Sequence, residues 1–205
     1  MIKKIFTSAT IILLVLLIII FIQNNYKIEI FGNNMSNISS CEDIQKYILN
    51  ISKYSAVVDI TINSNKTTNK YKIKQEYNNG QFYSEVLEPN TIKGTIITYN
   101  GKDLKIENSN LNVSKIYANY KYIASNQLSL YDFIEDYKNS ADANLKEEEN
   151  QVVLETTVKN ENRYLTKKVL YVDKKTKKPI KLEIKDNTQN VLVYILYNEI
   201  EIGLL

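Results

Sequence analysis

The chain of 205 residues has no histidine, no tryptophan and a single cysteine, Cys41. Without histidine there is no Ser-His-Asp or Cys-His nucleophile system and no histidine-ligated zinc site. One cysteine excludes a disulfide within the chain and a cysteine metal cluster. We therefore predict a non-enzyme with no cofactor and no metal. The alternative is an enzyme whose active site consists of the carboxylates Asp132, Glu135 and Asp136. Asp132 and Asp136 are one helical turn apart and can share a face of the helix.

The chain also lacks a strong charge of either sign. It has 26 basic and 23 acidic residues, a formal net charge of +3. Nucleic-acid binding needs a concentrated basic surface, so we expect no nucleic-acid partner.

The N-terminus contains the one long apolar run of the sequence. Lys3 and Lys4 precede the apolar residues 5–22, and positive charge on that side holds the N-terminus in the cytoplasm. The run is close to the roughly 20 residues that span a bilayer and longer than the about 7–15 of a signal-peptide core. No small-residue cleavage site follows, which favours an uncleaved signal anchor over a cleaved peptide. We predict a transmembrane segment at residues 1–22, a tether at 23–40 and an exported domain at 41–205.

Cys41 ends the stretch "ISSC", which is the local pattern of a bacterial lipidation site. It lies far beyond Ile22, whereas lipoprotein cleavage occurs beside the membrane segment. Three interpretations stay open: a helix start with a free thiol, lipidation, and an intermolecular disulfide in a homodimer. For the helix start, Ser39 and Glu42 form the expected capping box, and the positive helix end is expected to favour the thiolate.

Most of the remaining sequence alternates with period two. In "NKYKIKQEYN", Tyr71, Ile73, Gln75 and Tyr77 share one face, and lysines occupy the other, as in a half-buried strand. Residues 78–80 and Asn100-Gly101 predict tight turns, and helical spacing predicts a helix over 129–138. The predicted fold is mainly β (α+β): a curved antiparallel sheet or half-open β-barrel with short helices on its concave side, preceded by the transmembrane helix.

The last third of the sequence, "YVDKKTKKPIKLEIKDNTQNVLVYILYNEI", resembles the C-terminal strands of the LolA/LolB-like lipoprotein-carrier superfamily. The earlier "YKIKQEYNNGQFYSEVLEP" and "YNGKDLKIEN" look like its first meander. The matching positions are Val172, Asp173, Pro179, Asp186, Asn190 and Asn198–Ile200, with Pro89 and the Tyr-Asn-Gly turn at 99–101.

Within that superfamily the chain is most similar to the GerS-type spore germination lipoproteins, which share its "CEDI" at Cys41–Ile44. The resemblance implies a non-catalytic envelope protein of a spore-forming bacterium that binds and licenses a cortex-modifying N-acetylmuramoyl-L-alanine amidase. It equally permits a lipid or lipoprotein carrier with an apolar cavity, although a tethered chain cannot shuttle. A sensor of wall polymer is a third possibility.

The strand "NVLVYILYNEI" is apolar on both faces. Leu192, Tyr194 and Leu196 alternate with an equally apolar set, so the outward set is either covered by a loop or meets a partner or a second copy. We take these three residues as a candidate partner-facing strand.

Lysines concentrate around the hairpin that precedes this strand. They are interpreted either as a solvated edge that resists aggregation or as a contact for an anionic wall polymer or acidic partner. The set is Lys167, Lys168, Lys174, Lys175, Lys177, Lys178, Lys181 and Lys185.

Overall fold

A computed structural model describes residues 40–64, 66–120, 128–162 and 165–204, except the side chains of 158–162 and 165. Within these ranges eleven strands form one antiparallel sheet in the order β6-β5-β4-β3-β2-β1-β11-β10-β9-β8-β7. The strands are β1 (Ile51–Asn63), β2 (Thr68–Asn78), β3 (Gln81–Glu88), β4 (Ile96–Tyr99), β5 (Leu104–Asn108), β6 (Val113–Tyr117), β7 (Asn144–Glu147), β8 (Gln151–Asn162), β9 (Leu165–Asp173), β10 (Pro179–Lys185) and β11 (Val191–Leu204).

The sheet consists of two meanders joined by one long-range pairing. β1 to β6 run outward to one edge, and β7 to β11 return from the other edge to the centre. There β11 pairs antiparallel with β1, from Ile51 opposite Leu204 to Ile62 opposite Val193. The sheet is curved and not closed, because β6 and β7 remain its two edges. This confirms the predicted mainly-β antiparallel fold.

Two short helices pack on one face of the sheet, which we call the concave face. α1 (Cys41–Leu49) buries Ile44 and Ile48, and α2 (Leu130–Asn139) buries one whole side of the helix. The opposite face is called the convex face. The helix predicted over 129–138 is thus confirmed, with Ser129 as its N-cap.

The start of α1 differs from its prediction by one residue. Ser40, not Ser39, is the N-cap: its hydroxyl accepts a hydrogen bond from the Asp43 amide at 3.1 Å. The Ser40 amide donates to the Asp43 carboxylate at 3.2 Å, which completes the capping box. Serine followed three residues later by an acid is the sequence pattern of a capping box. Ser40 with Asp43 fits this pattern as well as Ser39 with Glu42.

The core lies between the helices and the concave side chains of the sheet. β1 shows the predicted alternation, burying Tyr54, Ala56, Val58 and Ile60 while the residues between them are half-buried. Period-two burial on one face is what a strand in contact with a helix layer requires.

The tight turns lie where the sequence predicts them. Asn79 and Gly80 both adopt positive φ, 45° and 86°, between β2 and β3. Gly101 has φ +93° between β4 and β5, and the Asn100 side chain accepts from the Asp103 amide at 2.7 Å. Positive φ suits Gly and Asn best.

The membrane segment predicted at residues 5–22 and the tether at 23–40 lie outside the described residues, apart from Ser40. In the part of the chain that is described, no helix is both long enough and apolar enough to cross a membrane. The described residues belong to the compact unit Ile38–Leu205. The signal anchor and the three segment boundaries therefore stay predictions.

Candidate functional site

The candidate site lies at the centre of the convex face. β11 is flanked by β1 and β10, so Leu192, Tyr194 and Leu196 are far from both edges of the sheet. They are half-buried, whereas Val193 and Ile195 between them are only 6% and 0% exposed and point into the core. The alternation is as predicted, although Leu192 lies at a register shift opposite β10 and also packs against the core. We call Leu192, Tyr194 and Leu196, along the middle of the sheet, the β11 stripe.

Polar groups border the β11 stripe on both sides. Leu196 lies opposite Asp59 of β1 and Lys181 of β10. Asp59 is held by the Asn198 amide, whose Nδ2 donates to Oδ2 at 2.7 Å. An apolar centre with a hydrogen-bonded polar border is the anatomy of a protein–protein interface.

A cation stacked between two tyrosines forms the β10 side of this border. Lys181 Nζ lies 3.9 Å from the ring centre of Tyr171 and 5.8 Å from that of Tyr194. The same ammonium contacts Glu183 at 2.7 Å, and Lys185 contacts its other oxygen at 3.2 Å. Burial opposes ionisation of Glu183, but hydrogen bonds from Lys181 and Lys185 outweigh it, so its pKa lies below the usual value. Both tyrosine rings therefore contact an ammonium that belongs to an ionised network.

The lysine-rich hairpin is not a solvated edge, and that interpretation is wrong. β9 and β10 are interior strands, because β8 and β7 lie beyond them. Several of the lysines are paired: Lys167 Nζ contacts Glu155 at 2.9 Å, and Lys174 Nζ contacts Glu147 at 2.7 Å. Lys167 on β9 and Lys174 in the turn after β9 therefore balance acids of neighbouring strands.

Lys168 belongs to the same lysine-rich set in the sequence, but it is fully buried. Its ammonium lies 2.7 Å from Asp136 Oδ2 beneath α2. The sequence contained the signal for this burial. Lys168 alternates in phase with Leu170 and Val172, so it lies on the same side of β9 as these two core-facing side chains, which are 0% exposed. A lysine on the core-facing side of a strand requires a buried counter-ion.

The three acids of α2 do not form an open catalytic site. Glu135 is on the outer side of the helix, 3.8 Å from Lys138. Asp132 and Asp136 are 3% and 9% exposed and face the sheet. Burial raises the pKa of Asp132 to about 7, but the carboxyl has no access to a substrate. No group of three or more His, Cys, Asp or Glu side chains in the described ranges is arranged to hold a metal ion.

The concave face of β1 to β5 contains an apolar cavity of about 260 Å³. Gln75 contributes the polar group: its amide donates to the Leu128 carbonyl at 3.2 Å, and its carbonyl oxygen is buried without a partner in the described structure. The lining residues are Ile60, Ile73, Gln75, Phe82, Ser84, Ile97, Leu104, Ile106, Tyr120 and Leu128. The volume is close to the lower end of small-molecule sites, about 300 Å³.

Cys41 is the first residue of α1 and is half-buried. The expectation of a stabilised thiolate is wrong: burial and a hydrogen bond to the Glu147 carboxylate raise the pKa of the thiol. An adjacent carboxylate opposes the negative charge more than the helix end favours it. Whether Cys41 is lipidated or forms an intermolecular disulfide stays a prediction.

The solved structures that resemble this fold include two with a TM-score above 0.5. One is the complex of the CwlD amidase with the GerS lipoprotein from Clostridioides difficile, whose GerS chain is 26% identical with a TM-score of 0.52 over 85% of this chain and 99% of that chain. The other is an uncharacterized conserved protein from Thermus thermophilus, 14% identical, with a TM-score of 0.53 over 82% and 90%.

A third similar structure is the LolA superfamily protein NE2245 from Nitrosomonas europaea, 12% identical, with a TM-score of 0.43 over 82% and 95%. No curated protein sequence matches the chain significantly. The resemblance to GerS noted from the sequence is confirmed. A family model described as "Sporulation protein YdcC-like" matches residues 8–202. The chain therefore belongs to the YdcC-like family of sporulation proteins.

Proposed function

We propose that this protein is a non-catalytic, membrane-tethered envelope protein of a spore-forming bacterium that is needed for germination because it binds and licenses a cortex-modifying N-acetylmuramoyl-L-alanine amidase. The observation that carries the proposal is the match to GerS, which covers 99% of a chain whose solved structure is a complex with an amidase. Membership of a sporulation family supports the same role. In this proposal the apolar run at residues 5–22 is the membrane anchor and residues 23–40 are the tether, and the lysines before the run support a domain outside the cytoplasm.

The β11 stripe is the surface that we assign to the amidase. It is apolar, central and bordered by Tyr171 and the Lys181–Glu183 pair. Aromatic and apolar groups held rigidly at the centre of a patch supply most of the binding energy at interfaces, because little side-chain entropy is lost on binding.

Binding of a purified amidase by variants of the full chain tests this assignment. Changing Leu192 or Tyr194 to Asp places a charge in the middle of the proposed interface. We expect at least tenfold weaker binding, since a central hot spot contributes about 2 kcal/mol or more. Leu87→Asp is the matched control: Leu87 is half-buried on the convex face of β3, about 14 Å from β11 by strand spacing.

Pull-down from sporulating cells followed by calorimetry with the recovered amidase gives the measurement. Failure to recover any amidase with the wild-type chain contradicts the function itself. Recovery with unchanged affinity in both β11 variants, while circular dichroism shows a folded domain, contradicts only the assigned surface.

The second candidate function is a lipid or lipoprotein carrier, which the apolar cavity between β1 and β5 favours. Its lining is apolar except for Gln75 and Ser84. Native mass spectrometry of the purified chain distinguishes the two functions. An acyl mass retained by the wild type and lost on Ile97→Trp, which fills the cavity, favours the carrier.

A further inference from the structure

A buried cluster of ionisable groups lies between α2 and the sheet, away from the β11 stripe. Asp132 and Asp136 project from α2, Lys168 comes from β9 and Tyr197 from β11. Their exposures are 3%, 9%, 0% and 7%. Such groups are rarely buried together unless their charges and hydrogen bonds are matched.

The charges of this cluster do not match. Two carboxyl groups share one ammonium, and Lys168 Nζ is bound to Asp136 at 2.7 Å. Asp132 receives one side-chain hydrogen bond, from Ser129 Oγ to Oδ2 at 2.7 Å. Among the described residues, Asp132 Oδ1 and the Tyr197 hydroxyl are buried with no hydrogen-bond partner. A second ionised carboxylate in this position is poorly solvated.

We propose that Asp132 is a proton-dependent latch: when it is protonated, α2 is held on the sheet, and when it is ionised, α2 loosens. Every element around Asp132 contributes a group to this balance. Lys168 of β9 favours the carboxylate, as does the Ser129 hydroxyl at the helix N-cap. Asp136 on the same helix opposes ionisation of Asp132. The buried hydroxyl of Tyr197 on β11 makes no hydrogen bond to the Asp132 carboxyl.

Loosening of α2 extends to the concave cavity. Leu128, which lines the cavity, comes just before the N-cap of α2 and its carbonyl accepts from Gln75 at 3.2 Å. Tyr131, in the first turn, stacks on Tyr77 of β2 with ring centres 4.1 Å apart. The latch therefore couples the proton concentration around the domain to the opening of the concave face.

The direction of the pH effect depends on whether Asp132 binds its proton more tightly when α2 is docked or when it is undocked. An undocked aspartate titrates near pH 4, whereas burial raises the pKa of docked Asp132 to about 7. Between these values the docked state holds more protons, so docking is strongest below about pH 4 and weakens as pH rises from there through 7. From pH 6 to pH 8 the docking equilibrium falls about tenfold.

Hydrogen–deuterium exchange of the full chain tests the latch, with each variant compared with wild type at the same pH so that intrinsic exchange cancels. For each α2 amide, the exchange rate of the wild type is divided by that of Asp132→Asn. We expect this ratio of rates to be about tenfold higher at pH 8 than at pH 6. Amides of β10 are the internal reference and should show no such change. Tyr197→Phe is the control variant, because it removes a buried hydroxyl but keeps the titrating carboxyl and so the pH dependence.

Equal exchange of α2 in wild type and Asp132→Asn at both pH values overturns the latch. A change of the same size in β10 also overturns it, because the effect is then global unfolding. Should Asp132→Asn fail to fold, the wild type still decides the matter through a carbon-13 NMR titration of the Asp132 carboxyl. A midpoint near pH 7 supports the latch, and a midpoint below about pH 5 refutes it.

Discussion

Changing Asp136 to asparagine removes the ionic partner of a fully buried lysine with little change in shape. In the wild type the Lys168 ammonium is 0% exposed and lies 2.7 Å from Asp136 Oδ2. The amide that replaces the carboxylate carries no charge. The ammonium then remains in the core with only the Asp132 carboxyl nearby to compensate it.

The size of the loss follows from this burial. Removing one partner of a buried ion pair destabilises a protein by about 3–5 kcal/mol, mainly because the other charge is left uncompensated. At pH 8 Asp132 is ionised and takes over part of the role of Asp136, so we expect the lower end, about 3 kcal/mol. For a domain of this size that lowers the melting temperature by roughly 6–12 °C.

Glu135→Gln is the matched control, since it makes the same chemical change on the outer side of the same helix, where the Glu135 side chain is 26% exposed. Glu135 lies 3.8 Å from Lys138, whose side chain is 45% exposed, and such surface pairs contribute about 0.5 kcal/mol or less. Urea denaturation at pH 8, followed by circular dichroism, gives the free energy of unfolding of both variants. If the loss in Asp136→Asn is no larger than in Glu135→Gln, the account of a buried, uncompensated charge is wrong.

Two further predictions concern the start of α1. Ser40→Ala breaks the hydrogen bond to the Asp43 amide, so we expect it to lower the free energy of unfolding by about 1 kcal/mol. Ser40→Asp should keep the cap and show little loss. Urea denaturation measures both variants. Burial and Glu147 raise the pKa of the Cys41 thiol, so we expect it to react with iodoacetamide at pH 8 more slowly than a cysteine peptide does. Glu147→Gln should speed this reaction. An unchanged rate in Glu147→Gln contradicts the contact between Cys41 and Glu147.

The strands and turns could be predicted because their signals are local. Alternation in β2, the positive-φ pair Asn79-Gly80 and the spacing of α2 each depend on neighbours within a few residues. The predicted capping box of α1 is displaced by one residue because two adjacent serines are each followed, three residues later, by an acid.

The buried ion cluster could not be predicted by grouping residues along the chain. Lys168 lies beside Lys167 in the sequence, but the pleat sends the two side chains to opposite faces. Its partner Asp136 is on a helix far away in sequence, so only the packed structure pairs them. The same holds for Cys41, whose thiol is controlled by Glu147 of β7 and not by its own helix end alone.

The pairing of β1 with β11 has a consequence for the order in which the domain folds. The sheet is joined at its centre by strands from opposite ends of the domain, with partners from Ile51–Leu204 to Ile62–Val193. Contacts so far apart in sequence form late, because a long loop must close first. A chain still being synthesised lacks β11 and can form only two separate meanders with unjoined inner strands. The central pairing that joins the two meanders therefore forms only after β11 has been synthesised.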